Sequence, residues 1–342
     1  MSFVKRSGIY IRGLIFGCVC IAVLFVFFSR WLFQPLSMSS AYNYEISRGT
    51  TVFSIAQDLH KLGWLEYPKV WALWARVNGS SSKLRAGEYK LAPTMTPDQI
   101  LKLFTSGKVI LHSLVVIEGS TFSDLRSSLE KRTDIQHTLN YAADADWMTA
   151  LQIPDTHPEG QFFPDTYRFA SNTTDVDILR MAQAKMKKAL FEAWQTREED
   201  ANIKTPYQLL ILASIVEKES ANDEDRKKIA GVFLERLERG MRLQTDPTVI
   251  YGLGADFDGD LKKADLLRDG PYNTYTREGL PPTPIAMPGA ASLYAAAHPE
   301  KTGALFFVAT GKSDGSHYFS KSLQEHNAAV QRYLAVTRNQ TD

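Results

Sequence analysis

The run "KRSGIYIRGLIFGCVCIAVLFVFFSRWLF" near the N-terminus constrains this chain more than any other stretch. No charged residue occurs from Gly13 to Ser29, and Trp31, Leu32 and Phe33 carry the apolar character past Arg30. A bilayer core needs about 20 mostly apolar residues, with about 17 as the lower end, so residues 13–33 are long enough for one transmembrane helix. A cleaved signal peptide has an apolar region of about 7 to 15 residues followed by small side chains. Bulky Arg30-Trp31-Leu32-Phe33 follows here, and the expectation is an uncleaved anchor. Lys5, Arg6 and Arg12 lie before the run. By the positive-inside rule they hold residues 1–12 in the cytoplasm and put the rest beyond the cytoplasmic membrane.

The remaining length leaves room for two domains. Lysine plus arginine (39) nearly balance aspartate plus glutamate (38), so no global field selects nucleic acid. Cys18 and Cys20 both lie in the apolar run, which excludes a disulfide framework or a cysteine-held metal elsewhere. His298, His317 and His326 are spaced too widely for a local ligand motif, and no cofactor or metal is expected.

Residues 34–43 are small and polar and read as a linker. Residues 44–108 follow the order strand, helix, helix, strand. "YNYEI" opens a strand, Thr50 or Thr51 caps a helix with Val52, Ile55, Ala56 and Leu59, and Pro68 starts a second helix carrying Val70, Trp71, Trp74 and Val77. "LRAGEYKL" returns as a strand with Gly87 at a bulge or close approach, and "TPDQILKLFTSG" is a capped helix closed by Gly107. This βααβ order resembles a LysM-like module, a fold that often binds bacterial wall glycan. Glycan binding and a spacer role are both open. Residues 109–342 read as a second, mixed domain, so the fold class is α+β.

In "ILASIVEKES" an apolar helix ends in two carboxylates. Thr205 and Pro206 open it, and Leu209, Leu212, Ala213 and Val216 fall on one face. At about 100° per residue, Glu217 and Glu219 point about 200° apart and cannot share a site. Two solvated glutamates at a helix end are the ordinary reading. The alternative gains weight because a second periodic helix, capped by Asn222 or Asp223 and stopped by Gly240, follows directly. The junction at Glu219-Ser220-Ala221 could then half-bury one carboxyl at a cleft. Downstream loops collect Gln244, Thr245, Asp246, Tyr251, Asn273, Thr274 and Tyr275. Neutral hydrogen-bonding groups mixed with flat aromatic rings suit a sugar, although turn residues account for any one of them.

The stretches "ASIVEKES", "VFLERLERGMRLQTDPTVIYG", "YNTYTREGLPPTPIAMPG", "AAAHPEKTGALFFVA" and "EGQFFPDTYRF" closely resemble the YceG-like family over residues 44 to 337. The resemblance implies lytic cleavage of peptidoglycan within the strand, at the outer face of a bacterial inner membrane, where it terminates or trims nascent strands. The bond is the one between N-acetylmuramic acid and N-acetylglucosamine, leaving a 1,6-anhydro end. It implies Glu219 as the catalytic acid, in a lysozyme-like place at a helix end, with Ser220 beside it and Glu217 in a supporting role. Glu159 and Asp165, in "EGQFFPDTY", are the additional acidic groups expected near the cleft. The expected partners are glycan strands and the cytoplasmic membrane, with cell-wall synthases as a candidate class. A non-catalytic glycan-binding scaffold and a hydrolytic muramidase are the alternatives.

Overall fold

The computed structural model describes residues 3–139, 143–219 and 222–341. The chain forms two units, Met1–His112 with Phe169–Asn172, and Ser113–Arg168 with Thr173–Asp342. The division therefore falls after His112 instead of after residue 108, and a short later segment returns to the first unit.

The first unit starts with helix α1 (Phe3–Leu32) and continues through β1 (Tyr42–Ile46), α2 (Val52–Lys61), α3 (Pro68–Val77), β2 (Gly87–Leu91) and α4 (Pro97–Ser106). Local chemistry sets the helix ends. Thr51 accepts a hydrogen bond from the Ser54 amide at 3.1 Å, Thr96 and Gln99 cap each other, and Gly107 closes α4 in the left-handed region at φ 71°. Strands β1 and β2 pair antiparallel, from Tyr42 opposite Leu91 to Ile46 opposite Gly87. Their alternation turns Tyr44, Ile46, Tyr89 and Leu91 onto a core with Ile55, Leu59, Trp71 and Phe104. Gly87 is required at its bend, since a β-carbon there would lie 2.5 Å from Val109 Cγ1.

Two sequence expectations change in this unit. The stretch at 34–43 packs instead of hanging free: Leu36 and Met38 are buried, and the Leu36 amide donates to the Met95 carbonyl at 2.8 Å. Helix α3 turns Trp71, Ala72 and Ala75 inward and leaves Val70 and Val77 exposed, because small alanines let the helix approach its neighbours closely.

The chain runs on through β3 (Leu111–Val115), α5 (Phe122–Glu130), α6 (Asp144–Ala150), β4 (Thr166–Ala170) and α7 (Asp175–Thr196). Next come α8 (Pro206–Glu219), α9 (Asp223–Glu238), α10 (Asp246–Leu253), α11 (Lys263–Leu267) and α12 (Ala290–Ala297), then β5 (Phe306–Ala309), β6 (His317–Ser320) and α13 (Leu323–Thr341). β3 pairs with β4, and β5 pairs antiparallel with β6. The fold is mixed α+β.

Helix α8 is the centre of the second unit, packed by α7, α9, α10 and α12. Every residue from Leu209 to Val216 is buried, so this middle stretch of the helix has no solvent face, as expected of one that is apolar all round. The sequence reading of a single inner face was too narrow. The Ser214 hydroxyl stays satisfied by donating to the Ile211 carbonyl and accepting from the Ile285 amide. Close packing reaches α9 at Gly231, where a β-carbon would lie 2.2 Å from the Glu300 carbonyl oxygen.

Candidate active site

Glu219 is the last residue of α8, where the buried core helix meets open space. It lines a cleft of about 400 Å³ with Arg236, Leu243, Gln244, Asp246, Tyr275, Phe306, Phe307, Leu323 and His326. Burial pushes its carboxyl up to about 7. A hydrogen bond from the Thr245 hydroxyl and the nearby Arg236 charge pull the other way, and the Asp246 charge adds to the rise. The group is therefore poised between acid and carboxylate near neutral pH.

Glu217 has a different task. Its side chain turns toward Gly289, whose amide it accepts at 2.8 Å, and its other oxygen lies 3.6 Å from the buried Arg226 guanidinium. The helical geometry separates the two glutamates, and among the described residues only Glu219 of the pair lines the cleft. Ser220 lies outside the described residues.

The loop after α9 supports the cleft from below. Asn222 caps α9 through the Glu224 amide at 2.9 Å, and Arg236 near its other end is buried. Arg236 donates to the carbonyls of Leu305 at 2.7 Å and Leu243 at 2.8 Å, and reaches Gln244 Oε1 at 3.4 Å. Its guanidinium also stands 5.1 Å from the Phe306 ring. One side chain thus ties β5 to the loop that carries Gln244 and Thr245. Gln244 adopts a left-handed backbone at φ 50°, an uncommon conformation for a residue with a β-carbon, and its amide is fixed by the Thr274 carbonyl at 3.1 Å.

The polar residues expected from the loops divide into three groups. Gln244, Asp246 and Tyr275 line the cleft with Glu219, and the Tyr275 hydroxyl donates to Asp246 Oδ1 at 2.5 Å. Thr245, Thr274 and Asn273 are buried and line no part of it. The Thr245 amide donates to Thr274 Oγ1 at 3.1 Å, Thr274 and Thr248 hydroxyls meet at 2.9 Å, and Asn273 Nδ2 donates to the carbonyls of Asp265, Leu266 and Arg268. Thr245 and Thr274 thus brace the loop that reaches Glu219, and Asn273 fixes the 265–268 turn. Tyr251 and Glu159 belong to a separate cleft of about 680 Å³, lined also by Phe122, Arg126, His157 and Tyr272.

Burial also pushes Glu159 up to about 7, against hydrogen bonds from Tyr251 and the Phe122 amide. Asp165 lines neither cleft and pairs with Lys185 of α7. The three C-terminal histidines lie apart. His298 stands 4.3 Å from the Tyr294 ring, His317 meets Asp225 at 3.2 Å, and His326 stacks on Phe306 at 5.2 Å.

Residues 44–332 match the YceG-like family. The chain belongs to that family. The endolytic murein transglycosylase of Bacillus subtilis (strain 168) is 34% identical over 327 residues, covering 90% of this chain and 89% of that protein. A protein of the same name from Streptococcus pneumoniae serotype 2 is 29% identical and matches 84% of this chain, which spans only 58% of that longer protein. The crystal structure of a yceG-like protein from Listeria monocytogenes shares the fold, at 31% identity and a TM-score of 0.53, over 85% of this chain and 99% of its own.

Within this cleft, sequence reading missed Arg236, Leu243, Phe306, Phe307 and Leu323, and named His326 only among metal candidates. Arg236 carried a faint signal: it lies three residues after Phe233 and four after Val232, on the inner side of α9, where a charge is unexpected. His326 stacks on Phe306, and burial followed by the Arg236 charge lowers its pKa, which favours the neutral imidazole.

Proposed function

We propose that this protein is an endolytic murein transglycosylase in which Glu219 is the single acid–base group. The carrying observation is a half-buried carboxyl, raised by burial to about 7, that faces a cleft lined by Gln244, His326 and the rings of Tyr275, Phe306 and Phe307, with Arg236 and Asp246 as its other charged groups. Near neutral pH a substantial fraction is protonated, as a group that protonates a leaving oxygen must be. Glu219 donates its proton to the glycosidic oxygen between N-acetylmuramic acid and N-acetylglucosamine. The resulting carboxylate then takes the proton of the muramyl 6-hydroxyl, which attacks the anomeric carbon and closes a 1,6-anhydro ring. Holding that hydroxyl close replaces an outside nucleophile. Tyr275 and Phe306 offer ring faces to sugars, and Gln244 and His326 offer hydrogen bonds.

Asp246 favours one rival reading. It is a second carboxylate in the same cleft, and paired carboxylates are the usual equipment of a hydrolase. The names of the relatives favour the lytic route, as does the engagement of Asp246 Oδ1 by Tyr275. Digestion of purified glycan strands in oxygen-18 water separates the two. Lytic chemistry gives unlabelled 1,6-anhydro ends and, for internal cuts, a spread of early product lengths. Labelled reducing muramyl ends would transfer the assignment to hydrolysis with Asp246 as base.

The stretch Leu14–Leu32 is long and apolar enough to cross a membrane, which supports an anchor, and Lys5, Arg6 and Arg12 before it favour an N-terminus in the cytoplasm with the cleft on the outer side. There the enzyme would meet strands as synthases extend them. The antiparallel β1–β2 pair with α2 and α3 between its strands supports a LysM-like module, whose role is either to bind glycan or to act as a spacer.

A further inference from the structure

Helix α3 has three apolar side chains on its outer surface. Leu73 and Val77 are 60% and 74% exposed, and Val70 accompanies them. At about 100° per residue these three fall within an arc of about 60°. On one side the arc adjoins Tyr67 and Trp74, and on the other Lys69 and Arg76. The remaining face, Trp71, Ala72 and Ala75, is buried in the core of the first unit.

The side next to the arc is in contact with α1. Tyr67 packs edge-on against Phe27 and Trp31, at 6.4 and 5.6 Å between ring centres, and Trp74 packs against Phe28 at 5.5 Å. Phe27 and Phe28 belong to the apolar stretch Leu14–Leu32. With a rise of 1.5 Å per residue, Phe27 lies about 7.5 Å inside the outer end of that stretch. Helices that lie in a membrane interface bury their apolar face about 5–10 Å deep, with basic side chains reaching back to the headgroups.

We infer that α3 is a membrane-surface helix, with Val70, Leu73 and Val77 set into the outer leaflet of the bilayer that α1 crosses and Lys69 and Arg76 at the headgroups. The occupant of the apolar arc is lipid because the arc continues directly from residues that touch the spanning helix at interfacial depth. The first unit is then pressed onto the membrane. This inference rests on α1 being a membrane span.

The test uses the full chain in phospholipid vesicles, with Cys18→Ala and Cys20→Ala removing the native thiols. An environment-sensitive dye is attached in turn to Val23→Cys, Leu73→Cys and Val77→Cys. Labels at 73 and 77 should emit blue-shifted light, lose most of it to lipids carrying a shallow nitroxide, and resist aqueous iodide; the label at 23 should respond to a deep nitroxide. Iodide quenching at 73 and 77 as strong as for dye free in buffer, with 23 still quenched by lipid, overturns the inference and leaves the anchor intact. Loss of lipid quenching at all three positions removes the anchor as well. Shielding at 73 and 77 that rises with protein-to-lipid ratio, without lipid quenching, assigns the arc to a second copy and likewise overturns it.

Discussion

Glu159 and Glu219 are two carboxyl groups that burial raises to the same value, about 7, in two clefts of one unit. They differ in what holds them. Glu159 is only 3% exposed, and both oxygens face the Phe122 amide at the start of α5, at 3.0 and 3.3 Å. It closes off a helix terminus whose amides lack partners within the helix. Glu219 ends a helix, receives one side-chain hydroxyl and keeps part of its surface open to a cleft. A shifted pKa marks burial in both cases. The difference in partners is what supports the proposal of Glu219 over Glu159, because a group already committed to the backbone is less free to exchange a proton with a ligand.

The comparison breaks most visibly if the two residues exchange effects. Glu219→Gln should lower cleavage of glycan strands by at least ~100-fold, as expected for loss of an acid–base group, while retaining the fold. Glu159→Ala should instead reduce stability by about 1–3 kcal/mol, since it orphans a buried amide, with turnover of the folded fraction within a few-fold of the parent. Product mass analysis together with denaturant unfolding of both variants checks this. A near-silent Glu219→Gln and an inactive, fully stable Glu159→Ala would reverse the assignment.

Much of this site was legible because its supports are local. Thr205-Pro206, Asn222 and Gly240 announce the ends of α8 and α9 through capping chemistry that needs no tertiary knowledge, and they place Glu219 at a junction. The separation of Glu217 from Glu219 follows from helix geometry alone. The sorting of the loop residues was not legible. Gln244 and Tyr251 are near in sequence, yet they line different clefts because Gln244 precedes α10 and Tyr251 rides on it. Asn273 and Thr274 carry the same polar chemistry as Gln244 but spend it on backbone and threonine partners. Phe306 and His326 reach the cleft from the C-terminal β5 and α13, a long-range contact that no local pattern encodes. Likewise, nothing in the spacing of Val70 and Val77 told that the alanines of α3 would claim the core.

A second measurement sharpens the comparison through stability. Each carboxyl has its folded pKa raised from 4.5 to about 7, so the folded state holds protons that the unfolded chain releases across that window. The stabilising contribution is therefore full below about pH 4.5 and lost as the pH rises through about 7. Glu219→Gln removes one such charge. The variant should be more stable than the parent by about 1–3 kcal/mol at pH 8, toward the lower end because Glu219 keeps part of its hydration, and the gap should close toward pH 4.5. Unfolding midpoints of both proteins across this range test it. A gap that widens toward acid would mean that the folded pKa of Glu219 is depressed.

The smallest effect distinguishes the two sites by their hydroxyl partners. Thr245 donates to Glu219, and Tyr251 bonds Glu159; each bond favours the carboxylate and so lowers its pKa. Thr245→Val deletes the donor with little change of shape. The Glu219 pKa should rise by about half to one unit, the equivalent of roughly 0.7–1.4 kcal/mol, and the alkaline limb of kcat/KM should move up by the same amount. Because a larger share of the enzyme is then protonated above pH 7, the variant should retain relatively more of its maximal rate there. Tyr251→Phe makes the same kind of deletion at Glu159 and should leave the limb in place if Glu219 is the acid, as proposed. A limb that follows Tyr251→Phe and ignores Thr245→Val would identify Glu159 as the titrating group, and the cleft of about 680 Å³ would become the place where strands are cut.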